Sequence, residues 1–120
     1  MALHTLAVTE ALVLTAKAGG DPKIALDVIS TSFGSSAMLN RNGAMILERR
    51  FDPGTSVNLI LKDLRLILDV AEEYSLPLEM GSLAEQMFDQ ASQLGLGTMD
   101  MAAMILPIEK IAKVQVKPKC

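Results

Sequence analysis

Few side chains in this chain of 120 residues are placed to do chemistry, and the most suggestive stand together between Thr55 and Tyr74 (TSVNLILKDLRLILDVAEEY). Asn58, Lys62, Arg65 and Asp69 follow at spacings of four, three and four, which on a helix lines them along one side, continuing into Glu72. Lys62 on that edge is a candidate to face an anionic ligand across a cleft; the plainer reading is the solvated edge of a core helix. Asp63 is the odd member, because its helical neighbours are Leu59, Ile60, Leu66 and Ile67. A carboxylate in that setting needs a partner or open water. Gly34-Ser35-Ser36 can present hydroxyls and backbone N–H groups to a ligand, although capping a helix is the simpler role for Ser35 or Ser36. His4 has no second His and no nearby Cys, so it supports no metal site and reads as a surface or interface residue.

The usual catalytic signatures are missing. There is no G-x-G-x-x-G, no P-loop, no His pair at metal spacing and no His–Cys combination placed to meet. Gly95-Leu96-Gly97 follows a helix pattern and not a strand, so it is no phosphate loop. The net charge of −3 offers no general attraction to nucleic acid. No apolar run approaches the ~18 residues of a membrane span. The single Cys, Cys120, staples nothing, and with no recognisable signal sequence the reading is a cytoplasmic protein.

The elements that must position these residues are helices. Half of the residues are apolar, yet there are three Phe, one Tyr and no Trp, so the core is Leu, Ile, Ala and Met, the palette of helix-on-helix packing. Residues 2–18 form a helix with few charges and no polar lead-in; it looks cut into and expects neighbours on most of its surface. Gly19-Gly20 stops it, and Asp21-Pro22 starts another with Asp as N-cap and Pro in the first turn. A short third helix carries Met38 and Leu39, and Met45–Leu47 make a separate apolar turn. Residues 55–74 carry an apolar stripe widened past half the circumference by Leu59 and Leu66, which predicts a helix packed on several sides around which the chain is organised. Residues 80–94 form the next helix, with Ser82 and Glu85 as a capping box. Asp100 caps a last one, where Pro107 implies a kink or restart. Nothing alternates at period two for long enough to make a strand. The expectation is a single all-α domain of about six helices over 1–120, its core about 2–113 and its tail 114–120.

Seven short motifs occur in order: Glu10-Ala11-Leu12, Gly19-Gly20-Asp21-Pro22, Gly34-Ser35-Ser36, Phe51-Asp52-Pro53-Gly54, Lys62-Asp63-Leu64, Leu76-Pro77-Leu78 and Gly97-Thr98-Met99-Asp100. In that order and spacing, over about residues 5–113, the chain resembles the C-terminal helical domain of the β-hydroxyacid dehydrogenase family. That family includes 3-hydroxyisobutyrate dehydrogenase, tartronate semialdehyde reductase and glyoxylate/succinic semialdehyde reductase. The resemblance implies a Rossmann domain ahead of this one, binding NAD or NADP, and a long helix joining the two. It also implies a catalytic lysine, followed by an asparagine, about four turns before the Glu-Ala-Leu element. Residues 1–9 contain neither Lys nor Asn, so this chain carries no catalytic residue of that kind.

What does carry over is Lys62, which resembles the family's lysine near the nicotinamide end of the cofactor, with Asp63 as an orienting or structural charge. Ser35 and Ser36 would border the cleft. Thr55 stands where family members often carry a second Phe lining the site. The resulting expectation is the C-terminal substrate-binding and oligomerisation domain of an NAD(P)-dependent dehydrogenase or semialdehyde reductase. Alone it would be inactive, bind no cofactor, and pair as a homodimer or higher homo-oligomer through its first helix. The alternatives are a stand-alone helical interaction module derived from that family and a small-molecule binding domain using the Lys62 edge.

Overall fold

A computed structural model describes all residues, 1–120. Six α-helices follow in order: α1 (Ala2–Lys17), α2 (Pro22–Ser30), α3 (Ala37–Leu47), α4 (Val57–Glu73), α5 (Glu79–Ala91) and α6 (Ile105–Ala112). A π-helical turn, Ser92–Leu96, prolongs α5, and a 3-10 turn, Met101–Met104, leads into α6. There is no strand; the nearest thing is an isolated antiparallel bridge between Ser56 and Asp100. The fold is all-α, as the residue patterns require. No helix is long and apolar enough to cross a membrane.

Local signals account for most of the boundaries. Gly19 adopts φ +85° just past the end of α1, a conformation that a side chain would strain. Asp21 accepts the Lys23 N–H at 2.9 Å and Pro22 opens α2. Ser36 caps α3 and Ser56 caps α4, each accepting the N–H three residues on. Pro107 falls in the first turn of α6, where its missing N–H costs nothing, so the expected break is a restart.

Three expectations are corrected. Met45–Leu47 is not a separate turn: α3 runs unbroken through Gly43, whose bareness lets it pack against α2. A Cβ there would stand 2.4 Å from Leu26 Cδ1. Ser82 and Glu85 form no capping box: α5 starts at Glu79 with no side-chain cap, and Glu85 reaches across to Arg65 instead. The stretch 114–120 is not wholly a free tail, because Val116 is fully buried and its N–H donates to Glu109 Oε1 at 2.7 Å.

The largest difference concerns which helix is the spine. Two apolar clusters make the core. One joins Ala2 and Leu6 of α1 to Ile60, Leu61 and Leu64 of α4, Phe88 of α5 and Met101. The other joins Val8, Leu12 and Val13 of α1 to Leu26, Leu39, Ile46, Ile105 and Val116. Helix α1 runs through both, with Leu3, Ala7, Glu10 and Leu14 turned outward. Helix α4 packs on one face only. Its second apolar row, Leu59, Leu66, Ile67 and Val70, lies open to solvent.

Candidate functional site

Helix α4 presents the Lys62 edge, and its first turn is fixed from outside. The Val57 N–H donates to Met99 O at 3.0 Å and the Asn58 N–H to Gly97 O at 2.9 Å, tying the helix to the turn before Met101. That turn is anchored by Asp100, whose side chain is fully buried. Arg41 grips Asp100 with two parallel bonds, Nη1 to Oδ1 at 3.0 Å and Nη2 to Oδ2 at 2.7 Å. The backbone N–H groups of Thr55 and Ala102 complete the set at 3.0 and 2.9 Å. Burial pushes the Asp100 carboxyl up, but the Arg41 bonds and the two backbone donors outweigh it and hold the group below the usual carboxylate range. Arg41 also donates to Asn42 Oδ1 at 2.7 Å, and Asn42 donates to Thr5 Oγ1 at 2.9 Å, so the network reaches α1.

Between α4 and α5 lies a hollow of about 390 Å³ bordered by Asn58, Lys62, Arg65, Asp89 and Ser92. Its polar groups are largely engaged with one another. Ser92 Oγ donates to Asn58 Oδ1 at 2.6 Å. Arg65 donates Nε to Glu85 Oε1 at 2.9 Å and Nη2 to Asp89 Oδ1 at 2.7 Å, and the Glu85 bond above all raises its pKa from the ordinary arginine value. Lys62 alone is left with a single loose partner, Asp63 at 3.3 Å, and its side chain is 61% exposed. Asp63 thus has both a counter-ion and water, which answers the cost of a carboxylate among apolar neighbours.

The other candidates stand apart from this hollow. Ser36 is occupied as the α3 cap, its Oγ accepting the Leu39 N–H at 3.0 Å. Ser35 and Ser36 line a hollow of about 380 Å³ shared with His4, Ala7, Ile29 and Phe33. Asp63 borders a larger, mainly apolar one of about 730 Å³, with Met1, His4, Ile67 and Met80. His4 borders both, and so joins the Ser35–Ser36 side to the Asp63 side. Its solitude among chemistry-bearing residues gave no sign of that in the sequence. The Asn58–Ser92 pair was also missed, because only the tertiary fold brings together residues 34 positions apart.

The chain provides no strand and no glycine-rich strand-to-helix turn of the kind that cradles a dinucleotide's phosphates. What fits such a cofactor is narrower: one weakly held cation, Lys62, on the rim of a polar hollow. No three His, Cys, Asp or Glu side chains gather as a metal site would require.

Sequence and structure comparison show to which family an all-helical domain of this build belongs. Residues 1–108 match the family described as the NAD-binding domain of NADP-dependent 3-hydroxyisobutyrate dehydrogenase, and the chain belongs to that family. It is similar to L-threonate dehydrogenase of Cupriavidus necator, 37% identical over 103 residues, covering 86% of this chain and 35% of the relative. It is also similar to 2-hydroxy-3-oxopropionate reductase of Escherichia coli, 32% identical, covering 93% of this chain and 38% of the relative. Among solved structures, 3-hydroxyisobutyrate dehydrogenase of Salmonella typhimurium superposes with a TM-score of 0.85 at 32% identity, over 88% of this chain and 37% of that one. The Mycobacterium tuberculosis 3-hydroxyisobutyrate dehydrogenase with L-serine gives 0.81 at 26% identity, over 89% and 39%. The chain spans about a third of the length of the curated relatives it matches.

Proposed function

We propose that this chain is the helical, substrate-side domain of an NAD(P)-dependent 3-hydroxyacid dehydrogenase or semialdehyde reductase, acting with a separate nucleotide-binding domain. The observation that carries this reading is Lys62, the least engaged cation of the α4 edge, whose Lys62-Asp63-Leu64 motif resembles that of the family's cofactor-contacting lysine. The dinucleotide, when bound, supplies or accepts the hydride. Within that site Lys62 would hold the cofactor near its nicotinamide end. Asp63, 3.3 Å away, keeps the ammonium oriented. Ser35, whose hydroxyl is not spent on capping, borders a separate hollow on the α2–α3 side, which would meet the cleft only by way of His4.

The reading makes the isolated chain inactive, since no residue in it can replace a hydride donor. Calorimetric titration with NADH, NADPH and small hydroxyacids tests this. Silence with all of them is the expected result. Stoichiometric, saturable binding of a dinucleotide would overturn the division of labour, and binding of a hydroxyacid alone would favour a small-molecule binding domain built on the Lys62 edge.

A further inference from the structure

Two side chains of the hollow between α4 and α5, Asn58 and Ser92, are tied to each other although neither belongs to the core. Asn58 is exposed, yet three contacts fix it. Its backbone N–H donates to Gly97 O at 2.9 Å, and its Oδ1 accepts the Ser92 hydroxyl at 2.6 Å. Its amide also lies against bare Gly97, where a Cβ would stand 2.5 Å from Nδ2. The π-helical turn Ser92–Leu96, which passes through Gly95 at φ +89°, carries Ser92 opposite Asn58. Turns of this kind are frequent at functional sites.

The bond between the two decides what they have left to give. An amide whose oxygen accepts keeps its NH2 group free, and no acceptor in the chain takes a proton of Asn58 Nδ2. A hydroxyl that donates keeps its lone pairs, and no N–H in the chain donates to Ser92 Oγ. The pair therefore presents one donor beside one acceptor, on the border of a hollow of about 390 Å³ and one helical turn from Lys62. That pattern complements a primary carboxamide, which accepts at its oxygen and donates at its nitrogen. A phosphate or carboxylate, having only acceptors, would leave the Ser92 lone pairs facing another acceptor.

We propose, resting on the reading of Lys62 as a cofactor contact, that Asn58 and Ser92 hold the carboxamide of the nicotinamide ring, the only primary amide of the dinucleotide. Asn58 Nδ2 donates to the carboxamide oxygen, and Ser92 Oγ accepts from the carboxamide NH2. A two-point contact of this kind sets the rotation of the ring, and with it the face that gives or takes the hydride. Because Asn58 and Ser92 are already bonded to each other, little ordering remains when the ring arrives.

Nuclear magnetic resonance on the isotope-labelled 120-residue chain reads the Asn58 side-chain NH2 and the Ser92 N–H during titration with free nicotinamide. A fragment this small is held only at millimolar strength, so the titration runs to about 100 mM, beyond the reach of calorimetry with the dinucleotide. The expected result is a shift at both groups, with 3-acetylpyridine, which lacks the NH2 donor, at least ~5-fold weaker. Asn58→Asp keeps the shape and the Ser92 bond but loses the donor, and is expected to weaken nicotinamide at least ~5-fold at an unchanged thermal midpoint, read at Ser92. Ser92→Ala, which removes the acceptor, is expected to weaken it likewise and serves if Asn58→Asp does not fold. No shift at Asn58 and Ser92 would overturn the proposal. So would an Asn58→Asp chain that binds nicotinamide as the wild type does. Inorganic phosphate that moved Asn58 and Ser92 as far as nicotinamide does would make the pair an anion site, and overturn it too. None of these outcomes involves hydride transfer. The role of Lys62 is tested by turnover once a nucleotide-binding domain is joined on, so an unresponsive Asn58 beside a working Lys62 faults the carboxamide contact alone.

Discussion

At the residue scale the chain separates charges that hold the fold from one that the fold leaves loosely paired and exposed. Asp100 is of the first kind: fully buried, gripped by Arg41 and filled by two backbone donors. Removing either partner strands the other, so Asp100→Ala and Arg41→Ala are each expected to cost about 3 kcal/mol or more in urea denaturation. The linkage has a definite sign. The folded-state pKa of Asp100 lies below its unfolded value, so the native state binds fewer protons in the acid range. Its contribution is complete above the unfolded value, about 3.9, and is lost as the pH falls through the folded one. Denaturation midpoints from pH 3 to 5 should show a fall at the acid end that Asp100→Asn lacks. Lys62 is of the second kind. Lys62→Ala is expected to change stability by no more than about 0.5 kcal/mol. A loss of several kcal/mol would assign it to the fold through Asp63. The exposed place of Lys62 was legible from spacing alone, because one edge of a single helix carries it. The Asp100 network was not: it joins Arg41, Thr55 and Ala102 through the tertiary fold, and in the sequence Asp100 shows only as a cap.

At the scale of elements, boundaries written in backbone chemistry were legible and those written in contacts were not. Gly19-Gly20, Asp21-Pro22 and Pro107 each act within a turn of themselves, and each helix end falls where they require. Ser36 belongs with them: Ser36→Ala removes one bond to the Leu39 N–H and should cost about 1 kcal/mol. The C-terminal segment is the opposite case. Val116 is fully buried, and Glu109 accepts its N–H while pairing with Arg49 at 2.6 and 3.0 Å. Nothing periodic in VQVKPKC announces this, since one buried side chain makes no pattern. Deleting residues 114–120 is therefore expected to destabilise the chain by about 2 kcal/mol or more, measured as a shift in thermal midpoint. An unchanged midpoint would return the segment to the status of a tail. The roles of α1 and α4 were also beyond the sequence. Both helices are apolar on more than one side, and periodicity counts apolar faces without saying which of them has a neighbour.

At the scale of the whole molecule, two features point outward from the fold. The radius of gyration is 14.5 Å, against roughly 13.6 Å for a compact chain of this length, and the extents of 50 × 32 × 24 Å describe an elongated body. Such a shape leaves long helix faces open, among them the α4 stripe and the outer row of α1. The relatives are about three times as long, so in them further polypeptide accompanies a domain like this one. The account's central claim is that this domain adds Lys62 to a cofactor site whose remainder lies in a nucleotide-binding domain. The measurement that tests it most directly joins the chain behind the nucleotide-binding part of a matched L-threonate dehydrogenase and follows NAD(P)H with hydroxyacid or semialdehyde substrates. The account predicts turnover, with Lys62→Ala raising the KM for the dinucleotide by roughly tenfold or more at unchanged stability, the worth of one charge-assisted hydrogen bond. A folded chimera in which Lys62→Ala leaves that KM unchanged would contradict it.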